Sequence, residues 1–230
     1  MLKKSFVFLS KHNFSFANKF YANSIEACKD IPAGSTVFVG GFGLCGIPEN
    51  CFRALVELGT NNLTVLSNNA GWQNYGVGLL ISNKLVKRMI SSHIGGNPEL
   101  VRAYHNGELE LELIPQGTLS EKIRNGGAGI PAFYTSTGLG TLQEKGGFIM
   151  KYALGGGMVE LLSSPTSRKE IKGKPYLYEE SFFGDYSLVK AQKADRMGNL
   201  YFNKSARNFN QDMATASKVV IAEVKKFNNF

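Results

Sequence analysis

Apolar and polar positions in this chain follow one repeated pattern. A short β-branched run leads into a turn rich in glycine or asparagine, and a stretch with helical spacing follows. Ser35–Val39 reads as a strand that enters the glycine stretch Gly40-Gly-Phe-Gly-Leu-Cys-Gly46. Pro48 then suits a first helical turn, and Cys51–Leu58 continues as a helix stopped by Gly59. Strands are predicted at Leu63–Ser67 and Leu85–Ile90, and a helix at Pro98–His105. Leu109–Ile114 alternates Leu with Glu, the pattern of a strand with one polar face. Thr118 and Glu121 predict a capping box opening a helix to about Arg124. Gly126–Tyr134 reads as a packed loop, too rich in glycine for a helix. Residues 141–175 give weak signals. Further strands are predicted at Tyr186–Gln192, Gly198–Phe202 and Lys218–Val224, and short helices at Ser24–Lys29 and Met213–Ser217. Strands alternating with helices predict an α/β fold, an open, largely parallel sheet with helices on both faces.

Composition narrows the function. Hydrophobic residues make up 43% of the 230, enough for a sizeable core, and no apolar run has the length of a membrane span. The net charge of +8 suggests nucleic acid until its distribution is considered. Lys3, Lys4, Lys11 and Lys19 all precede the first acid, Glu26, and setting them aside leaves +4 mixed among acids. That pattern argues against nucleic-acid binding. Met1–Tyr21 is basic, acid-free and rich in Phe and Ser, as a mitochondrial presequence is, so residues 1–21 are set apart from residues 22–224 and a tail at 225–230. Three cysteines without a C-x-x-C pair predict reduced thiols, and three histidines predict no metal site.

Ligands of parallel sheets bind outside the carboxyl ends of the strands. Four such ends here carry the glycine stretch, Asn68-Asn69, Ser92-His93 and Gln116, a set of donors and small residues fit to hold a carboxylate or an oxyanion. Gly41–Gly46 also fits G-x-G-x-x-G, the dinucleotide fingerprint. That fold needs an acid about 20 residues onward, and here the second strand ends in Ser67-Asn68-Asn69. A histidine alone, such as His93, serves more often as a structural hydrogen-bonder than as a base.

Together these blocks resemble the class I coenzyme A transferases. The resemblance rests on Val39–Glu49, Ser67–Gly71, Gly107–Thr118, Gly126–Thr137 and Lys204–Asn210, in the family's order, and comes nearest to the 3-oxoacid members of mitochondria. It implies a ping-pong transfer of CoA from succinyl-CoA to a 3-oxo acid such as acetoacetate. A glutamate carboxylate attacks the acyl-CoA carbonyl, passes through a mixed anhydride and becomes a glutamyl-CoA thioester. By resemblance, Asn68, Asn69 and Gln116 line the acyl pocket, and Gly40, Gly41, Phe42, Gly43 and Gly46 lie at the reacting carbonyl. CoA is then a substrate, and no resident cofactor is expected. The family's nucleophile lies in a Ser-Glu-Asn-Gly motif that does not occur here, and Glu49, Glu108, Glu110 and Glu112 are not substitutes for it.

The chain is therefore expected to be the first half, or A-type half, of an oligomeric enzyme. No catalytic residue is assigned within it, a glutamate-bearing partner half is required, and the matrix is the expected location. Two other readings remain, a non-catalytic acyl-carboxylate binding or assembly protein and a dinucleotide oxidoreductase domain. Acetoacetate, acetate and butyrate members share these blocks, so the acceptor is left open.

Overall fold

A computed structural model describes residues 6–11 and 20–227. The chain opens with two short strands, β1 (Phe6–Lys11) and β2 (Phe20–Tyr21), and a helix, α1 (Ser24–Cys28). Four strand–helix pairs follow: β3 (Thr36–Val39) with α2 (Glu49–Leu58), β4 (Leu63–Ser67) with α3 (Val77–Ser82), β5 (Val86–Ser91) with α4 (Pro98–His105), and β6 (Glu110–Leu113) with α5 (Gln116–Gly127). An insert then holds β7 (Ala132–Thr135), α6 (Leu142–Lys145), β8 (Ile149–Tyr152), β9 (Val159–Leu162), β10 (Arg168–Ile171) and β11 (Lys174–Glu180). The chain returns through β12 (Gly184–Ala194), β13 (Leu200–Tyr201), a 3₁₀ turn at Lys204–Arg207, α7 (Asn210–Thr215) and β14 (Ser217–Phe227).

The main sheet has nine strands in the order β2-β1-β14-β12-β3-β4-β5-β6, with β13 beside β12. From β14 to β6 every pairing is parallel, as βαβ connections require, while β1, β2 and β13 add antiparallel edges. Alternation within strands sorts the core to two faces. Val37, Val39, Val65 and Met89 pack under α1 to α4, whereas Phe38, Leu66 and Ile90 pack against Leu119 and Ile123 of α5 and Met213 of α7. Burial on both faces explains the nearly continuous apolar runs of these strands. The expected α/β sheet with helices on both faces is what forms.

Several local expectations change. The capping box is not made: α5 starts at Gln116, after Pro115 at φ −52°, and Glu121 pairs with Arg124 at 2.8 Å instead. Gly126 and Gly127 belong to that helix. A Cβ on Gly126 would stand 1.9 Å from the Phe182 carbonyl, and one on Gly127 2.2 Å from the Thr215 hydroxyl. Close packing, rather than a loop, requires glycine there. Helix α3 carried no signal of its own, and the insert resolves into hairpins. Of the N-terminal segment read as a presequence, residues 6–11 lie antiparallel along β14, and residues 1–5 and 12–19 fall outside the described residues.

Candidate active site

The carboxyl ends of β3 to β6 bring the predicted polar residues together. Gly40 follows β3, Asn68 follows β4, Ser92 follows β5, and Gln116 opens α5 three residues after β6. Asn68, buried at the end of β4, donates its amide to Gln116 Oε1 at 3.1 Å and reaches Ser92 Oγ at 3.4 Å. Asn69 donates to Asn68 Oδ1 at 3.1 Å and accepts the Gly71 N–H at 2.8 Å. Ser91 and Ser92 both donate to the Asn68 carbonyl, at 3.1 and 2.8 Å. The outcome is a rigid amide chain joining the ends of three adjacent strands, at a sheet spacing of about 4.8 Å. Gln116 is its exposed end, and its amide nitrogen makes no hydrogen bond among the described residues. His93 is exposed, with its ring against Gly95, and takes no part in this chain.

The glycine stretch occupies the same edge but is held from the other side. Phe42 and Cys45 exchange backbone hydrogen bonds at 3.0 Å, closing a tight turn around Gly43 and Leu44. Asn208 donates to the Cys45 carbonyl at 3.1 Å and Asn210 to the Gly46 carbonyl at 2.9 Å. Asn210 is fully buried, and its Oδ1 also accepts the Lys190 N–H at 2.8 Å. A Cβ at Gly40 would stand 2.0 Å from that same oxygen, and one at Gly41, where φ is +117°, 2.4 Å from Ile47. At Gly46, where φ is +70°, a Cβ would stand 2.9 Å from the Ala206 carbonyl. Gly40, Gly41 and Gly46 are thus required by the packing of this chain. Gly43 is different: it also has positive φ, +60°, but open space where its Cβ would be, so a ligand can approach its backbone.

Residues 72–75 form a second turn of the same kind, with Trp72 and Tyr75 exchanging backbone bonds at 3.2 and 3.0 Å. Glu49 Oε1 accepts the Gly76 N–H at 3.1 Å and so ties this turn to α2. The two turns hold Phe42, Leu44, Trp72 and Tyr75 about half exposed or more at the mouth of the site. Behind the glycine turn lies a cavity of about 390 Å³ lined by Leu44, Gly46, Glu49, Lys190, Gln192 and Lys225 among others. Its floor is electrostatically closed. Lys190 pairs with the fully buried Glu223, which also accepts the Asn50 N–H at 2.8 Å and the Asn50 side-chain amide at 2.7 Å. Below it, a hydrogen bond with Cys28 and then burial push the Cys51 thiol well above its ordinary value, which leaves Cys51 a packing residue.

Asn208 and Asn210 were legible only as part of the Lys204–Asn210 block. The density of glycines at 40–46 was the one signal that something must pack closely on them. Asn97, which donates to the Ala70 carbonyl at 2.8 Å and caps α4 through Leu100 N–H at 3.1 Å, was missed. No carboxylate of the described residues bonds to Asn68, Asn69 or Gln116, and no cluster of three metal-ligating side chains occurs among them.

Known proteins share the sequence and fold of this chain. The Coenzyme A transferase family matches residues 21–230. A human relative, succinyl-CoA:3-ketoacid coenzyme A transferase 2, mitochondrial, is 49% identical over 208 residues, covering 90% of this chain and 40% of its own length. A relative from Bacillus subtilis, the A-type half of a probable succinyl-CoA:3-ketoacid coenzyme A transferase, is 46% identical, with 90% of this chain and 79% of the relative covered. Among solved structures, glutaconate coenzyme A-transferase from Acidaminococcus fermentans superposes with a TM-score of 0.71 at 16% identity, over 90% of this chain and 67% of the other. An acyl-CoA transferase from E. coli O157:H7 gives 0.72 at 20% identity, over 90% and 42%. These two share the fold. The chain belongs to the coenzyme A transferase family, and it spans less than half the length of the human relative while matching most of the separate bacterial polypeptide.

Proposed function

We propose that this coenzyme A transferase chain supplies the acyl pocket of an enzyme that moves CoA from succinyl-CoA to a 3-oxo acid such as acetoacetate, and that a second half supplies the nucleophilic glutamate. One observation carries the reading. At the carboxyl edge, the amide chain of Asn68, Asn69 and Gln116 ends in a free donor, and none of the described carboxylates bonds into it. That is the composition of a substrate-holding, charge-stabilising surface without a nucleophile of its own.

The chemistry then divides between the halves. A glutamate oxygen from the second half attacks the thioester carbonyl, and the oxygen of that carbonyl gains negative charge. The Gln116 amide nitrogen and the open backbone at Gly43 are the donors on this chain suited to it. CoA thiolate departs, leaving a glutamyl–succinyl anhydride. The thiolate next attacks the glutamyl carbonyl, forming the glutamyl-CoA thioester and releasing succinate. Acetoacetate carboxylate repeats the sequence in reverse and leaves as acetoacetyl-CoA. Because their own hydrogen bonds fix the amides before substrate arrives, they need little reorganisation as charge develops. CoA enters as a substrate, with no resident cofactor. The acid-free segment Met1–Tyr21 and the mitochondrial relatives support a matrix location.

The test is acetoacetate-dependent consumption of succinyl-CoA by the full chain, alone and mixed with the glutamate-bearing second half from Bacillus subtilis. Turnover is expected only in the mixture, with the mass of CoA added to the second half and not to this chain. Gln116→Ala should then lower kcat by about 10²-fold, the effect of removing one oxyanion donor. Turnover by the chain alone, or a CoA adduct on it, would place the nucleophile here and overturn the assignment.

A further inference from the structure

His93 is the one polar residue of the strand-end set that the amide chain leaves unused. Its backbone is fixed. The Ala70 N–H donates to the His93 carbonyl at 3.2 Å, and Ser91 Oγ both accepts the His93 N–H at 3.3 Å and donates to that carbonyl at 3.0 Å. Its side chain is exposed, and the ring makes no hydrogen bond or ion pair among the described residues, so it lacks the partners of a structural histidine. The ring is nevertheless placed. A Cβ on Gly95 would stand 2.9 Å from both Cε1 and Nε2 of His93, so the imidazole fills the space that this glycine leaves open. At Gly96, a Cβ would lie 3.5 Å from the Trp72 indole. Asn69 and His93 are paired in parallel beyond the ends of β4 and β5. Such pairing sets their side chains on one side of the sheet, with the backbones about 4.8 Å apart. The imidazole therefore borders the acyl pocket beside Asn69.

Charge narrows the role. The loops after β3 to β6 span residues 40–48, 68–76, 92–97 and 114–115, and His93 is their one side chain able to carry positive charge. A pocket serving the proposed transfer receives two acyl groups in turn. Each has a second oxygen beyond the thioester carbonyl: the terminal carboxylate of succinyl, and the 3-oxo group of acetoacetyl. The two lie one bond apart along the acyl chain, and the first is an anion whereas the second is neutral. A fixed lysine or arginine charge would favour succinyl over the neutral group. An imidazole donates from either ring nitrogen and carries charge only when protonated, so it suits both.

We propose, on the basis of that transferase reading, that His93 determines which acyl chains the pocket selects, its ring N–H donating to the second oxygen of the acyl group, carboxylate or ketone. Acyl chains without that oxygen leave the donor unmatched and gain nothing from it.

Two measurements test this. In the mixture with the Bacillus subtilis second half, kcat/KM for a donor thioester reports the first half-reaction alone, as in any ping-pong scheme. Butyryl-CoA has the chain length of succinyl-CoA without the second oxygen. His93→Phe should lower kcat/KM for succinyl-CoA about 10- to 100-fold, the effect of losing a hydrogen bond to a charged group, and leave butyryl-CoA within about twofold. His93→Gln, which keeps a donor, should recover most of the loss, and Gly95→Ala, which displaces the ring, should reproduce part of it. The second measurement needs no second half. In the full chain, isotope-labelled at histidine, the His93 ring resonance is identified by its absence from His93→Gln. It should shift with succinate or acetoacetate and stay in place with butyrate at the same pH and ionic strength. Equal losses on both thioesters in His93→Phe, or a ring resonance that succinate leaves unmoved or butyrate moves as far, would each overturn the proposal. A wild-type mixture without turnover would instead count against the transferase reading, and the ring resonance would still decide the role of His93.

Discussion

Two lysine–glutamate pairs, each with its carboxylate buried, hold two unlike regions of this molecule. Lys190 and Glu223 face each other across the parallel strands β12 and β14, beneath the glycine turn. Both strands are packed on either side, and the pair also fixes the start of α2 through Asn50. Lys122 and Glu179, 2.6 Å apart, instead bridge two separate structures, α5 of the main body and β11 of the insert. Around them, Lys122 also reaches the Glu180 carbonyl at 2.9 Å, and Gln143 donates to Glu179 at 3.1 Å. The first pair sits in a framework that the hydrophobic core would hold in place anyway. The second works as a tie to an insert whose strands β8 to β10 have no fully buried residue, beside the one apolar anchor of β11, Leu177. Similar chemistry therefore does different work, according to whether apolar burial already fixes the partners.

Breaking the tie should have the largest effect. Lys122→Met leaves Glu179 charged and buried, and removal of one partner from such a pair costs about 3–5 kcal/mol. Urea unfolding should show that loss, and limited proteolysis should cut within residues 136–175 before anywhere else. A loss under about 1 kcal/mol would mean that the insert is held by something other than this pair. Glu223→Gln strands Lys190 in turn, but Lys190 keeps 21% of its side chain exposed, so water relieves part of the penalty. A loss of about 2 kcal/mol is expected, with uniform rather than localised protease sensitivity.

The smallest effect belongs to Asp185, at the start of β12. Its carboxyl is held below the ordinary range first by the Lys218 ammonium, at 2.8 Å, and then by the Thr36 N–H. A carboxylate with a depressed folded value stabilises the protein above its unfolded pKa of about 4, and that stability is lost as pH falls through the folded value. With 40% of its side chain exposed the contribution is below about 1 kcal/mol. Asp185→Asn should therefore lower Tm slightly at pH 7 and leave it equal to the wild type near pH 2.

Legibility in the sequence follows the same division. β3, β4, β5 and β6 and helices α2 and α4 were predicted to within about two residues because buried parallel strands write themselves as apolar runs ended by polar turns. Asn68, Asn69 and Gln116 could be found from position alone, since each follows a strand on one edge. The insert was opaque because its strands are short and half-solvated, so their pattern lacks contrast. The predicted helix at α5 was too short because Gly126 and Gly127 answer to Phe182 and Thr215, partners distant in sequence. The need for Asn210 beneath Gly40 was invisible for the same reason.

That last contact sets an order of events during synthesis. The glycine turn is made early in the chain, yet the side chain that fixes it lies 164 residues later, and β3 meets β12 only after the whole insert has been translated. Closing so long a loop is entropically slow. The glycine turn is therefore among the last parts of the nascent protein to take shape, and a ribosome that stops before residue 210 releases a chain whose substrate-facing turn has nothing to rest on.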